Sequence, residues 1–315
     1  MDQGPIDKTS STRLHRQDGG AVIVLAPRLW WQAIRPRTLS LAAVPVLVGA
    51  ALAMWQGAQL NGAVLAVTLL AALLIQAATN LLNDAEDAGR GNDGPDRLGP
   101  QRITGAGLAT SHTVKRSAFL LFALALLAGV LLVLVGGWPI LALGLAALLA
   151  GWAYSGGPVP LSHTPFGELF VVAFFGIAAV VGTFYLQADR VAPEAWLTGL
   201  ALGLHAAAVL IMNNIRDREA DTLAGRRTLA ILLGRKRALL AYGVFMLLPF
   251  LVLGLALGAT GVGLGWIALP YCAWLAWRAG AQQAGAAMNR QMGLTATAQL
   301  LLGGLLTLNL ILVSS

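Results

Sequence analysis

The stretch that decides the fold covers residues 61–87 and reads NGAVLAVTLLAALLIQAATNLLNDAED. It is largely apolar over residues 61–82, close to the roughly 20 residues with which an α-helix crosses the hydrocarbon layer of a bilayer. Polar side chains gather at the end of this run, at Asn80, Asn83, Asp84 and Asp87. Because they are three or four residues apart, they share one helix face. The stretch predicts a membrane-spanning helix that ends in a face of amides and carboxylates.

The composition is that of an integral membrane protein. Of the 315 residues, 57% are hydrophobic and 11% are charged, too few polar side chains to cover a water-soluble globule. Strict strand alternation is absent and the apolar runs are rich in Leu, Ala and Gly, which indicates helices and not a β-barrel. We predict an all-α fold, a polytopic bundle of nine transmembrane helices, with approximate spans at 38–56, 61–82, 117–136, 138–154, 165–187, 195–214, 237–258, 261–279 and 293–313.

A second acidic face lies in the second half of the chain. Asn213, Asp217 and Asp221 are spaced by four residues at the end of another apolar run. A stretch with Gly, Arg and Thr follows each cluster, at residues 99–105 and 225–228. This pattern indicates an internal repeat of four helices against four, with the ninth helix left over and one site where the halves meet.

The distribution of positive charge predicts the orientation of the bundle. All but one of the 21 Lys and Arg residues lie before the first span or at alternate connections, the exception being Arg190. Since cytoplasmic loops carry the excess of positive charge, the N-terminus and both acidic faces are expected on the cytoplasmic side of a bacterial inner membrane, and the C-terminus outside. Topology accounts for the net charge of +7 without a nucleic-acid partner. We expect a polar N-terminal tail over residues 1–27 and a single transmembrane domain over residues 28–315.

The two acidic faces contain the groups that bind a metal-bridged diphosphate. Mg²⁺ prefers oxygen ligands and commonly bridges protein carboxylates to substrate phosphates. The candidate catalytic and metal-binding carboxylates are Asp84, Asp87, Asp217 and Asp221. Arginine supplies a planar fork of donors for phosphate oxygens. The candidate diphosphate-binding residues are Asn80, Asn83, Arg97, Arg102, Asn213, Arg216 and Arg226.

The charged residues have two alternative roles. Charged side chains at a cytoplasmic helix end often form a solvated rim, which is the better account of Glu86, Glu219, Arg218 and residues 235–237. Acids in a pseudo-repeated bundle also mark ion or metal transporters. Here the acids end helices at one surface among arginines, whereas an alternating-access site lies near the midplane, so the pattern favours an enzyme and leaves a transporter as the alternative.

The acidic clusters resemble the aspartate-rich motifs of the UbiA superfamily of intramembrane prenyltransferases. The residues that carry this resemblance are Asn83-Asp84-x-x-Asp87, continuing to Gly91-x-Asp93, and Asp217-x-x-x-Asp221. Further motifs resemble the branch that prenylates 1,4-dihydroxy-2-naphthoate for menaquinone: residues 35–39 (RPRTL), 97–102 (RLGPQR), 151–158 (GWAYSGGP), 167–168 (GE), 174–176 (FFG) and 213–217 (NNIRD). Arg226 stands where the family commonly has lysine, a change that keeps the charge but alters the donor geometry.

The resemblance implies a polyprenyl diphosphate bound through Mg²⁺, with two ions, and with Asp93 as a further metal ligand. Loss of diphosphate leaves an allylic cation, which the naphthoate ring attacks at the carbon bearing the carboxylate, and CO₂ departs to give demethylmenaquinol. Candidate contacts for the prenyl chain and the aromatic acceptor are Arg35, Tyr154, Ser155, Glu168, Phe174, Phe175, Phe184 and Tyr185. Simple packing is the alternative role of the aromatic residues.

The sequence does not determine which aromatic acceptor the site takes. Nothing in the composition identifies it, so 4-hydroxybenzoate, homogentisate and haem remain alternatives within the superfamily. The four histidines of the chain form no metal-ligand spacing, and we assign them no catalytic role.

Overall fold

A computed structural model describes residues 12–15, 22–25, 27–91, 98–99, 102–281 and 286–314. Within these residues the chain is helical except for two short strands, Thr12–His15 (β1) and Val22–Leu25 (β2), and the connections between elements. The strands pair antiparallel, with Thr12 opposite Leu25, inside the stretch predicted to be a polar tail. The all-α class is confirmed for the bundle. The division of the chain into tail and domain stays a prediction.

The helices follow one another with short connections. They are Pro27–Ala33 (α1), Pro36–Trp55 (α2), Gly62–Gly89 (α3), Ser111–Ser155 (α4), Gly167–Val172 (α5), Ala179–Ala188 (α6), Pro193–Leu223 (α7), Leu229–Val262 (α8), Leu269–Ala281 (α9) and Ala286–Ser314 (α10). A π-helical turn, Ala173–Ala178, joins α5 to α6. Two 3₁₀ turns cover Leu161–His163 and Gly263–Ala268.

Seven helical segments in the described residues are long and apolar enough to cross a membrane. Two of them each include two predicted spans: α4 includes 117–136 and 138–154, and Leu229–Ala281 includes 237–258 and 261–279. At 45 residues, a straight α4 would be about 68 Å long, roughly twice the thickness of the hydrocarbon layer. The chain instead leaves helical geometry at Gly137, where φ is 63° and ψ is −153°. A positive φ of this size favours glycine.

Helices α3 and α7 continue beyond the predicted spans, to Gly89 and Leu223. The added turns are rich in Ala, Glu and Arg, which are good helix formers, so the helix does not stop where the apolar run stops. Both acidic clusters therefore lie on the final turns of helices. Within each cluster, residues three and four apart share one helix face.

Helix α7 is the most buried spanning helix among the described residues. Of its most apolar window 78% is buried, against 22% for α4. Glycine allows this close packing, because a Cβ at Gly203 would lie 2.6 Å from the carbonyl oxygen of Val172. In contrast, α4 turns leucines such as Leu127 and Leu134 outwards, as expected of a lipid-facing helix. The packing of α7 sets the position of the second acidic cluster.

Candidate active site

One large cavity, of about 1110 Å³, lies between α2, α3, α4, α5, α6, α7 and α10. Both acidic clusters line it, through Asn80, Asn83, Asp84, Asp87, Asn213, Asp217 and Asp221. The rest of its wall is mostly apolar and includes Ala71, Leu132, Val133, Ile140, Leu148 and Leu186. The cavity is therefore charged at the ends of α3 and α7 and apolar along the bundle.

In the first cluster, Asp87 lies between two guanidinium groups. Arg102 donates from Nη1 to Asp87 Oδ2 over 2.5 Å, and Arg226 donates from Nη2 to Asp87 Oδ1 over 2.9 Å. The Asp87 side chain is only 5% exposed. A carboxylate removed from water to this extent needs such partners, since an unpaired buried charge is strongly destabilising.

Asn83, one turn before Asp87, contacts two arginines, Arg102 and Arg35. Its Oδ1 accepts from Arg102 Nη2 at 2.8 Å and from Arg35 Nη2 at 3.2 Å, and its Nδ2 donates to Ser155 Oγ at 3.0 Å. Arg35 has a left-handed backbone, with φ at 54° and ψ at 71°. For a residue other than glycine this costs on the order of 1–3 kcal/mol and is typical of functional sites.

The second cluster is organised by Arg216, which is 4% exposed. Its Nε and Nη2 donate to the two oxygens of Asp217, at 2.7 and 2.5 Å, in the bidentate arrangement that suits a carboxylate. Nη2 also donates to Asn213 Oδ1 at 2.8 Å, and Nη1 donates to Asn289 Oδ1 at 2.6 Å. At 23% exposure, the Asp217 side chain remains accessible.

Arg226 joins the two clusters. Its Nη1 donates to Asp221 Oδ1 at 3.0 Å, while its Nη2 donates to Asp87 Oδ1 at 2.9 Å. Two carboxylates from the ends of α3 and α7 therefore lie within reach of one cation. Like charges this close repel each other unless a positive charge stands between them. The Arg226 guanidinium lies between the two clusters, where the sequence predicts that a metal and a diphosphate bind.

Comparison with known proteins agrees with this arrangement, since residues 42–309 match the UbiA prenyltransferase family. The chain belongs to the UbiA prenyltransferase family. It is 38% identical to the 1,4-dihydroxy-2-naphthoate octaprenyltransferase of Escherichia coli (strain K12) over 215 residues, which are 66% of this chain and 70% of that protein. It is also 38% identical to the enzyme of the same name from Mycobacterium tuberculosis, over 76% of this chain and 82% of that one.

The UbiA fold is also found by structure. A UbiA homologue from Archaeoglobus fulgidus, solved with DMAPP and Mg²⁺, superimposes with a TM-score of 0.63 over 89% of this chain and 99% of that one. The sequence identity between the two is 14%, so this comparison shows the fold alone.

The oxygen donors of this UbiA-family site suit Mg²⁺. Among the described residues, no three His, Cys, Asp or Glu side chains are grouped closely enough to hold a metal on their own. Mg²⁺ rarely uses such a cage, because it usually binds one or two carboxylates together with substrate phosphates. The carboxylates of Asp87, Asp217 and Asp221, with the amide oxygens of Asn83 and Asn213, are hard donors around one charged gap. These residues fit a metal that shares its ligands with a diphosphate.

Asp84 and Asn80 make structural bonds in addition to lining the cavity. Asp84 is 2% exposed, and its two oxygens accept the backbone N–H groups of Ile103 and Thr104, at 3.2 and 3.1 Å. Asn80 donates from Nδ2 to the carbonyl of Ile34 at 2.7 Å and to a threonine hydroxyl of α2 at 3.0 Å. The structure thus gives Asp84 a role in holding a loop, which the sequence did not predict.

Four of the eight residues predicted to contact the prenyl chain or the acceptor line the cavity, and Ser155 and Glu168 bond residues that line it. Arg35, Tyr154, Phe174 and Phe175 line it, while Ser155 bonds Asn83. Glu168 is buried beside the cavity, where its Oε1 accepts from Asn214 Nδ2 at 2.9 Å. Two more predicted residues, Asp93 and Arg97, lie outside the described residues.

Phe184 and Tyr185 do not line the cavity either, so their contact with a substrate stays a prediction. The face of α6 that borders the cavity consists of Ala179, Gly182, Thr183 and Leu186. Phe184 is completely buried and lies under Arg190, at 5.5 Å. The π-helical turn before α6 shifts the faces of the helix, an irregularity that sequence spacing does not reveal.

Three polar residues at the site were not predicted. His163 Nε2 lies 3.8 Å from Asp87 Oδ1, although the sequence gives the histidines no role. Arg90 donates to the carbonyls of Ser155 and Gly157 at 2.9 and 3.1 Å. Asn289 donates to the carbonyl of Leu98 at 2.8 Å and accepts from Arg216. The motif around Asp87 includes Arg90 and could have pointed to it, whereas only the fold brings the other two to the site.

Proposed function

We propose that this chain is a 1,4-dihydroxy-2-naphthoate polyprenyltransferase, which transfers a polyprenyl group to dihydroxynaphthoate with loss of CO₂ and diphosphate in menaquinone biosynthesis. The observation that carries the proposal is the pair of aspartate clusters linked by Arg226 at the charged end of an otherwise apolar cavity. A charged end suits a diphosphate, and an apolar wall suits an isoprenoid chain. The relatives from E. coli and M. tuberculosis support dihydroxynaphthoate as the acceptor.

The residues of the charged end divide into cations and metal ligands. Arg102, Arg216 and Arg226 would bind the diphosphate oxygens, and their carboxylate partners would be available to hold Mg²⁺. Asp87, Asp217 and Asp221 would hold the metal, with the amide oxygens of Asn83 and Asn213. Bound Mg²⁺, in our proposal two ions, supplies the positive charge that makes diphosphate a good leaving group. The A. fulgidus homologue solved with DMAPP and Mg²⁺ supports this assignment.

The aromatic wall serves the carbon chemistry. When the C–O bond to diphosphate breaks, the electron pair leaves with the diphosphate and the prenyl group becomes an allylic cation. The ring carbon that bears the carboxylate then bonds to this cation, and CO₂ departs. Tyr154, Phe174 and Phe175 present rings to the cavity, where aromatic faces stabilise a cation. The apolar wall keeps water away from the cation.

The same proposal includes the membrane arrangement. The breaks at Gly137 and Gly258, where φ is 63° and 68°, support a division of the two longest segments into pairs of spans, so we propose nine spans, as two sets of four and a ninth. The chain then crosses a bacterial inner membrane with its N-terminus and charged end in the cytoplasm and its C-terminus outside. The lipid bilayer is a partner of the apolar surface, and no nucleic acid is involved.

A reconstituted assay tests the function. Purified protein in detergent receives Mg²⁺, a polyprenyl diphosphate and 1,4-dihydroxy-2-naphthoate. We expect demethylmenaquinol, CO₂ and diphosphate in equal amounts, and no turnover after a chelator removes the metal. Activity that survives chelation contradicts the metal assignment, and the absence of any prenylated product contradicts the proposal.

Replacing the naphthoate by 4-hydroxybenzoate, homogentisate or haem tests the other acceptors. Cation movement across vesicles without diphosphate release would indicate a transporter.

Matched variants test the role of Arg226 in the same assay. Arg226→Gln removes the cation between Asp87 and Asp221, so KM for the polyprenyl diphosphate should rise about 10-fold to 100-fold, as expected when a charge-assisted hydrogen bond is lost. The neighbouring side chain of Arg227 is exposed, and Arg227→Gln removes an equal charge without touching the clusters. Equal effects of the two changes would show that net charge matters and that the bridge does not.

A further inference from the structure

Glu168 is a buried carboxylate that has no role in the proposed binding of the metal and the diphosphate. The residue is 3% exposed. Its Oε1 accepts from Asn214 Nδ2 at 2.9 Å, but its Oε2 is buried and has no hydrogen-bond partner among the described residues. A buried polar atom without a partner is costly and rare, and it calls for a functional role or an absent ligand.

The position of Glu168 connects it to both parts of the substrate site. Val171 follows one turn later on the same face of α5 and lines the cavity. Asn214, which binds Glu168, also lines the cavity and is the neighbour of Asn213 in the second acidic cluster. Tyr154 belongs to the adjoining wall. Glu168 does not itself line the cavity, but it lies directly behind the wall, bonded to Asn214 of the charged end and one turn before Val171.

We propose that Glu168 is the catalytic base of the transfer, with Oε2 accepting the proton of a ring hydroxyl of the acceptor and later returning it. The proposal rests on the proposed function, because it assumes an acceptor with a hydroxyl beside the carbon that is alkylated. Asn214 is the positioning residue, since its bond holds Oε1 and leaves Oε2 as the oxygen without a partner among the described residues. These two roles explain why α5 contains a buried carboxylate of which one oxygen bonds Asn214 and the other has no partner among the described residues.

The overall reaction releases no proton, so a base that accepts the hydroxyl proton of the acceptor must later return it. After diphosphate has left with the electron pair of the C–O bond, ring electrons bond the allylic cation. As this C–C bond forms, the hydroxyl proton moves to Oε2 and its O–H electron pair becomes a ring carbonyl. The bond from the ring to the carboxylate then breaks, CO₂ leaves, and the electron pair restores the aromatic ring. Glu168 returns the proton to the ring oxygen. No net proton is lost, so a base shielded from water is well suited to the task.

Glu168→Gln tests the proposal against a matched change. Glutamine keeps an oxygen for Asn214 and replaces Oε2 by an amide nitrogen that accepts no proton. We expect kcat to fall about 100-fold or more, the usual contribution of a general base, with KM for the polyprenyl diphosphate within about twofold of wild type. Glu194→Gln is the control, because Glu194 also bonds an amide, Gln56 Nε2 at 3.1 Å, but belongs to the first turn of α7, at the end of that helix opposite the acidic cluster. It should leave both constants unchanged.

A substrate comparison separates a base from a structural carboxylate. A monomethyl ether of the acceptor has no proton at the methylated oxygen, so one of the two ethers should slow the wild type to the level of Glu168→Gln and should not slow the variant further. Unchanged turnover in Glu168→Gln, or a full additional loss with both ethers, would overturn the proposal. If that variant does not fold, Glu168→Asp retains a carboxylate and must retain the sensitivity to methylation. A wild type that makes no prenylated naphthoate at all contradicts the proposed function instead.

Discussion

At the scale of single residues, Asp84 and Asp217, which both lie four residues after an asparagine of their cluster, have different partners. Asp84 is buried and accepts two backbone N–H groups of the loop after α3, whereas Asp217 is 23% exposed and pairs with Arg216 at the cavity. Hydrogen bonds to backbone hold a loop in place. A carboxylate that remains accessible and pairs with an arginine is available to a substrate. The two clusters therefore share the spacing of a helix face, but their aspartates differ in their contacts.

Alanine substitutions at the two positions should separate these roles. Asp84→Ala leaves the N–H groups of Ile103 and Thr104 without an acceptor, at about 1–3 kcal/mol each, so the melting temperature should fall clearly. Asp217→Ala should lower turnover at least 100-fold with a smaller change in melting temperature, because water reaches its position. Thermal unfolding in detergent and the prenyl-transfer assay measure both. An Asp84→Ala protein that melts like the wild type contradicts the loop-holding role.

At the scale of elements, α4 combines two functions. Its outer leucines face lipid, while Leu132, Ile140 and Leu148 line the cavity. Gly144 also lines the cavity, and a Cβ placed on it would meet no atom within 4 Å. This helix therefore forms a thin wall of the apolar part of the cavity, and small residues on it set the room for the isoprenoid chain.

Gly144→Leu should change the preference for chain length. Leucine fills the space beside Gly144, so long polyprenyl diphosphates should lose turnover relative to a ten-carbon diphosphate, by about tenfold or more. Leucine is also a better helix former than glycine, so loss of the helix is not expected to cause the effect. Gly280→Leu is the control, since Gly280 on α9 has equal space around it but does not line the cavity. An equal loss for short and long substrates would contradict this assignment.

At the scale of the whole molecule, the two ends of the bundle differ. The end formed by the last turns of α3 and α7 has the clusters of acid and arginine that line the cavity. At the other end, Gln56 bonds Glu194, and the backbone N–H of Asn61 donates to Gln187 Oε1 at 2.8 Å. By the positive-inside rule, the end that is richer in arginine is expected on the cytoplasmic side and the other end outside.

Labelling of single cysteines in intact cells tests the orientation. The native Cys272 is fully buried, so the wild type should give little background with a membrane-impermeant maleimide. Leu60→Cys and Leu223→Cys are a matched pair, because these leucines are 45% and 92% exposed at opposite ends of the bundle. We expect Leu60→Cys to react in intact cells and Leu223→Cys to react only after the membrane is opened. The reverse pattern would invert the topology.

The sequence by itself determined the helical membrane class and the two aspartate clusters at helix ends. Hydropathy over about 20 residues and spacing along one helix are local properties, so they can be read without a fold. Only the tertiary structure decided that Arg226 links Asp87 to Asp221 and that Asn289 joins Arg216. It also decided that Leu186, and not its neighbour Tyr185, lines the cavity on α6, which follows a π-helical turn. Such contacts join residues far apart in the chain or depend on backbone irregularity, and neither follows from local pattern.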